Sequence, residues 1–195
     1  MYRHFHPKFQ KEVAILHPGE YYASGDDIVI STVLGSCIAV AFFDPRNARG
    51  GLNHFMLPGT LRRKEFMFSE SGKYGMFAME LLINELMKMG SRKSDLVAKV
   101  FGGGHVLRGS IQKEGSIPEG NIKFAFEFLK NEGIKIESSD VGGTIARKIF
   151  FFPQSARILL KRITGQLIVD VERQEENYLE KIRKEKDRRG EITLF

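Results

Sequence analysis

Short apolar runs separated by turns rich in glycine, proline and aspartate dominate the first third of the chain, and each has the length and composition of a strand. Residues 13–16 form the first run, Pro18-Gly19 a turn, and residues 27–32 a second strand rich in β-branched side chains. Residues 38–43 read as a buried strand, residues 44–50 as a polar turn, and residues 51–57 as a returning strand closed by Pro58-Gly59. The pattern predicts a hairpin.

The period changes at residues 74–89. Met76, Phe77, Met79, Leu81, Leu82, Ile83, Leu86 and Met87 recur at helical spacing, the methionines as core filling, and Gly90 supplies a C-terminal stop. A strand at 96–101 follows and runs into Gly102-Gly103-Gly104-His105. Asn121 is read as the N-cap of a second helix through Asn131, with Gly133 just beyond it. The spacing then predicts strands at 134–137, 146–152, 158–163 and 167–171, the last two joined by Thr164-Gly165. Residues 172–189 interleave charges of both signs, with Tyr178, Leu179 and Ile182 as the few large apolar residues, which suits a solvated helix or a frayed tail. The layout is α+β, without internal repeats.

Composition narrows the class. The chain has 195 residues and is 42% hydrophobic, enough for one domain with a sizeable core. A single cysteine rules out an internal disulfide framework and a thiolate zinc cluster, and points to a reducing, cytoplasmic setting. The longest apolar runs are far shorter than the roughly 20 residues that span a bilayer, so no membrane insertion is expected. The first seven residues lack the apolar stretch of a secretory signal and read as a short arm, in which His4 and His6 have no further ligand to share a metal with. No metal or cofactor is expected. A formal charge of +6 favours acidic partners, but the basic residues are scattered and carry no nucleic-acid-binding signature, so nucleic acid is not expected among them.

The candidate chemistry lies in the hairpin. Cys37 stands in Leu34-Gly35-Ser36-Cys37, and His54 follows in Asn53-His54-Phe55-Met56-Leu57-Pro58. An imidazole near a thiol can raise its thiolate fraction at neutral pH, and the small residues before Cys37 leave room for a substrate carbonyl and backbone N–H donors. A free cysteine is equally at home as a small buried hydrophobe, and residue type alone leaves both readings open. If the hairpin pairs symmetrically about its turn, Cys37 and His54 fall within a few residues of each other on facing arms; a shift of one residue would turn His54 to the opposite face. Gly102-Gly103-Gly104 lacks the ending of a phosphate-binding loop and reads as a tight turn, as does Val141-Gly142-Gly143-Thr144; His105 lines the same pocket as His54 or occupies a turn, and the turn is the favoured reading.

These blocks resemble the CheD family, the chemoreceptor glutamine deamidases of bacterial chemotaxis. The likeness continues through Lys99-Val100-Phe101-Gly102-Gly103-Gly104, Gly120-Asn121, and Asp140-Val141-Gly142-Gly143 with Arg147. It covers residues 19–171 as a CheD-like deamidase domain, leaving residues 1–18 as an N-terminal arm and 172–195 as a charged C-terminal helix or tail. Where the family commonly has alanine after two glycines, this chain has Gly104-His105.

The resemblance implies layered mixed β-sheets with flanking helices, a CheD-like cysteine hydrolase fold. It implies Cys37 as nucleophile, His54 as base, and a hydroxyl on the preceding strand, either Ser31 or Thr32, as support for the histidine. Neighbours on a strand face opposite ways, so one of the two is expected to serve. Backbone N–H groups around Gly35 and Ser36 would hold the oxyanion. The implied reaction deamidates glutamines on chemoreceptor cytoplasmic domains through a thioester, with methylesterase side activity, and the CheC phosphatase is an implied partner. The alternative is a non-catalytic chemotaxis adaptor that binds receptors or CheC. The apolar terminus Glu191-Ile192-Thr193-Leu194-Phe195 reads as a plug for the domain's own core or as a docking segment.

Overall fold

The computed structural model describes residues 1–57, 70–106, 116–164 and 166–189. The turn expected at Pro58-Gly59 and the apolar terminus at Glu191 to Phe195 lie outside these residues. The elements, in chain order, are β1 (Tyr2–His6), β2 (Lys11–Ile15), β3 (Tyr21–Ser24), β4 (Val29–Leu34), β5 (Ile38–Asp44), β6 (Arg49–Asn53), α1 (Glu70–Lys88), β7 (Val97–Gly102), α2 (Ile117–Asn131), β8 (Lys135–Val141), β9 (Ala146–Phe152), β10 (Arg157–Ile163) and α3 (Gln166–Arg189).

Two five-stranded mixed sheets result, ordered β1-β2-β4-β9-β10 and β3-β6-β5-β7-β8. The β2–β4 and β7–β8 pairs are parallel and the others antiparallel. The sequence expectation of an α+β fold with layered mixed sheets and flanking helices describes this architecture. The strand expected at 13–16 is β2, and residues 2–6 ahead of it form β1, which pairs with β2 as a hairpin at the edge of the first sheet.

Strand β5 organises the layers because it is buried on both faces. Its even positions, Ile38, Val40 and Phe42, join Met79, Leu82 and Leu86 of α1 and Phe124, Phe128 and Leu129 of α2 in one core. Its odd positions, Ala39 and Ala41, together with Cys37 just before it, join Ile30 and Leu34 of β4 and Ile149 and Phe151 of β9 in a second core between the sheets. The period of two along a strand thus separates a helix-facing layer from a sheet-facing one.

Helix α1 starts one turn before residue 74 and ends at Lys88, and just beyond it Gly90 has a φ of +95° that is free of strain only for glycine. The amides of Gly90 and Ser91 donate to the carbonyls of Met87 and Leu86, closing the last turn as a Schellman motif. Its apolar face is narrower than the sequence suggests: Phe77 and Met87 are exposed.

Two expected elements are corrected. Asn121 is not the N-cap of α2; Ser116 holds that position, and Pro118 in the first turn has the fixed φ and missing N–H that suit it there. The strand expected at 167–171 is the start of α3. A short apolar run carries no period of its own, and the stripe that continues into residues 171–182 decides for helix.

Candidate active site

The β5–β6 ladder pairs Ala41 with Leu52 and Phe42 with Gly51, and an isolated bridge at Ile38 and Phe55 keeps the same register. Between them the side chain of Asn53 takes over from the backbone, its Oδ1 accepting the Val40 N–H at 2.9 Å. In this register Cys37 lies opposite Met56 and His54 opposite Ala39. Cys37 and His54 are therefore diagonal neighbours on one face, a relation that leaves Cβ atoms about 7–8 Å apart or less. That face is the layer between the sheets, where both residues are buried.

The opposing sheet decides between the two hydroxyls. On β4, Ile30, Thr32 and Leu34 point into the shared layer, and Thr32 Oγ1 lies 2.7 Å from His54 Nδ1. Thr32 Oγ1 also donates to the Leu16 carbonyl at 2.8 Å. With its only proton on Leu16, the hydroxyl accepts from Nδ1–H, which leaves Nε2 as the unprotonated nitrogen. That Nε2 is buried and has no hydrogen-bond partner among the described residues. Ser31 faces the other side of the sheet and donates to the Ile149 carbonyl at 2.9 Å, away from His54.

The turn before β5 is held from behind at every peptide. The Gly104 N–H donates to the Gly35 carbonyl at 2.7 Å and the Gly103 N–H to the Cys37 carbonyl at 2.7 Å. Asn121 Nδ2 donates to the Ser36 carbonyl at 2.8 Å, while its Oδ1 accepts the Leu57 N–H at 2.8 Å. Gly102 must lack a side chain, since its φ is +114° and a Cβ would lie 2.1 Å from the Cys37 oxygen. Buried Arg147 secures this strand end by donating to the carbonyls of Gly102 at 2.5 Å and Gly142 at 2.6 Å. The glycine run that read as a tight turn is thus the rear wall of the cysteine turn. His105 closes it by donating its N–H to the Gly143 carbonyl at 2.8 Å.

With their carbonyls fixed, the amides of Gly35, Ser36 and Cys37 converge on one point, and a carboxylate occupies it. Glu175 of α3 accepts from Gly35 N and Cys37 N on Oε1, at 3.0 and 3.1 Å. Its Oε2 accepts from Ser36 N at 3.0 Å and Ser36 Oγ at 2.6 Å. Glu175 is only 1% exposed. Burial first, and then the Glu175 charge and hydrogen bond, push the Cys37 thiol well above the usual thiol range. Burial, with a smaller contribution from His17, lowers His54 to about 3. In this state the pair is a neutral thiol beside a neutral imidazole.

The profile described as CheD chemotactic sensory transduction matches residues 56–162. A protein of Herminiimonas arsenicoxydans named "Probable chemoreceptor glutamine deamidase CheD" is 40% identical over 96% of this chain and 91% of its own length. The chain belongs to the CheD family. A relative of the same name from Methylobacillus flagellatus is 40% identical over 98% of this chain and 94% of its own length. One from Bordetella petrii is 48% identical over 75% of this chain and 64% of its own length. Among solved structures, the crystal structure of Bacillus licheniformis hypothetical protein YfiH aligns with a TM-score of 0.42 and 17% identity, over 63% of this chain and 51% of that one.

Within this CheD-family site, the structure brings Cys37, His54, Thr32, Gly35 and Ser36 together and leaves Ser31 outside. Sequence reasoning did not single out Glu175, and it gave Asn121 a different task. A signal for Glu175 was present: Val171, Glu175, Tyr178, Leu179 and Ile182 recur at helical spacing, placing one carboxylate within an apolar stripe.

Proposed function

We propose that this CheD-family chain is a cytoplasmic enzyme that hydrolyses the side-chain amide of specific glutamines on chemoreceptor cytoplasmic domains. The observation that carries the reading is the convergence of three clamped amides beside a thiol whose neighbouring imidazole has one nitrogen held and the other bare. Preorganised N–H donors aimed at one point are what an oxyanion requires, and removing one such donor typically costs a factor of about 10²–10³ in rate.

Cys37 Sγ gives its proton to His54 Nε2 and attacks the carboxamide carbon, while the oxygen takes up negative charge against the N–H groups of the Gly35–Cys37 turn. The C–N bond breaks as the imidazolium protonates the departing nitrogen, leaving a thioester and ammonia. His54 then takes a proton from water, the hydroxide attacks the thioester carbon, and glutamate leaves as the thiol is restored. Thr32 holds the imidazole in the tautomer that the first and third steps need. A glutamate methyl ester entering the same site would follow the same path with methanol as leaving group, which is the basis for methylesterase side activity. The family resemblance adds the CheC phosphatase as a partner.

The test is peptide-level mass spectrometry of a chemoreceptor cytoplasmic domain incubated with the chain or with Cys37→Ala. A gain of about one mass unit at particular glutamines, present only with the unaltered chain, is expected for amide hydrolysis through the thiol. Receptor binding without mass change, for both proteins, would replace this reading with the adaptor alternative.

A further inference from the structure

Helix α3 is not a solvated tail. Val171, Glu175, Leu179 and Ile182 are buried, and Tyr178 contacts Gly19 so closely that a Cβ there would lie 2.6 Å from its hydroxyl oxygen. Tyr178 also hydrogen-bonds Tyr74 of α1, and Leu179 belongs to the same core as Cys37. The stripe seats α3 over the cysteine turn, and at its centre is a charged group.

A carboxylate in such a place is costly unless its bonds are made, and among the described residues all of its hydrogen bonds come from the turn that precedes β5. No Lys, Arg or His pairs with it among the described residues. A purely structural stripe is better served by leucine at this position. Glutamate, by contrast, has the shape of glutamine and is the product of its hydrolysis. The two carboxylate oxygens occupy distinct environments: Oε1 faces two backbone donors, as a carbonyl oxygen would, while Oε2 faces the Ser36 N–H and the Ser36 hydroxyl, of which the hydroxyl can also accept from an amide NH₂.

We propose that α3 is a built-in occupant of the substrate's seat. Glu175 holds the place of the carboxamide, and the chain turns over only when α3 is displaced by a helix that presents a glutamine within a similar apolar stripe. The proposal rests on the deamidase reading above. The tether makes α3 a strong competitor, since a segment on the same chain acts at an effective concentration that reaches the millimolar range. Glutamate is the suitable occupant because it satisfies four donors where a carboxamide satisfies fewer, and because hydrolysis cannot consume it.

The deciding experiment is Glu175→Gln in the full chain, which places a carboxamide in the site without any receptor. Cys37 Sγ would attack the carboxamide carbon introduced at position 175, ammonia would leave with a proton from His54, and water would release the carboxylate of Glu175. Tryptic mass spectrometry should show a gain of about one mass unit at residue 175 on standing, absent from the Glu175→Gln, Cys37→Ala double variant. Alongside it, Glu175→Ala should alkylate at Cys37 with iodoacetamide about tenfold faster than the unaltered chain at a temperature where both are folded, since the charge facing the thiol is gone.

Conversion of residue 175 together with faster alkylation supports the proposal. A receptor glutamine that is hydrolysed while the carboxamide of the Glu175→Gln variant stays intact and alkylation is unchanged overturns it and leaves the deamidase reading standing. An inert receptor and an inert carboxamide at position 175, in a folded chain with a freely alkylated Cys37, overturn both.

Discussion

Thr32→Val tests the geometry most directly, because valine keeps the shape of threonine and removes only the hydroxyl. Two buried groups lose their partner: the Leu16 carbonyl, now 2.8 Å from Oγ1, and His54 Nδ1, now 2.7 Å from it. An orphaned buried polar group costs about 1–3 kcal/mol, so the pair predicts roughly 3 kcal/mol of lost stability in urea unfolding. The catalytic loss has a separate origin. Without an acceptor at Nδ1 the imidazole is free to protonate Nε2 and to rotate, and kcat for receptor deamidation should fall about 100-fold with KM little changed. That factor corresponds to about 2.7 kcal/mol of barrier. Thr32→Ser keeps both hydrogen bonds and gives up one methyl, worth about 0.8 kcal/mol of burial, so it should retain most of the activity. A Thr32→Val protein with kcat within twofold of the unaltered chain, or a Thr32→Ser protein as impaired as the valine variant, would refute the reasoning.

Ser31→Ala removes a single hydrogen bond to Ile149 on the far face of β4, and should cost about 1 kcal/mol in unfolding while leaving deamidation rates unchanged. Asn121→Ala frees the Ser36 carbonyl and the Leu57 amide together; we expect about 2–4 kcal/mol of destabilisation and a drop in kcat, whereas a variant of normal stability would show that the clamp is redundant. His54 is lowered to about 3 in the fold, so its neutral form contributes stability that is complete above the unfolded value near 6.5 and is lost as pH falls towards 3. Between pH 7 and pH 5 this amounts to about 2 kcal/mol, read as a fall in urea midpoint that His54→Gln does not share.

Most strands were legible because their period of two is local, and 146–152 matches β9 residue for residue, while β1 and β3 were not expected and the run at 167–171 proved helical. The β5–β6 register was legible only to within one residue: pairing centred on a turn at 44–50 would set 44 opposite 50 and turn His54 away from Cys37, whereas Asp44 pairs with Arg49. The choice between Ser31 and Thr32 was not, because it depends on which face of β4 meets the second sheet, a matter of pairing with β9 across more than a hundred residues of chain. Asn121 has a residue type that suits an N-cap, and only Pro118 three positions earlier reveals that the helix has already begun. Helix α3 was obscured by its own outward face, where charges of both signs hide a stripe of buried residues on the inward one. Nothing local distinguishes Glu175 from its charged neighbours; its meaning comes from the turn it faces.

Strand β5 has a partition built into its alternation. Large side chains at 38, 40 and 42 face the helices, while Cys37, Ala39 and Ala41 face the site. On the helix side, exchanges that conserve volume can be absorbed by repacking against α1 and α2 without touching the imidazole. On the site side there is little to exchange, because Ala39 stands opposite His54 and a larger residue there would drive the ring away from Thr32. A lineage can therefore drift on one face of this strand and stand still on the other, alternating residue by residue from 37 to 42.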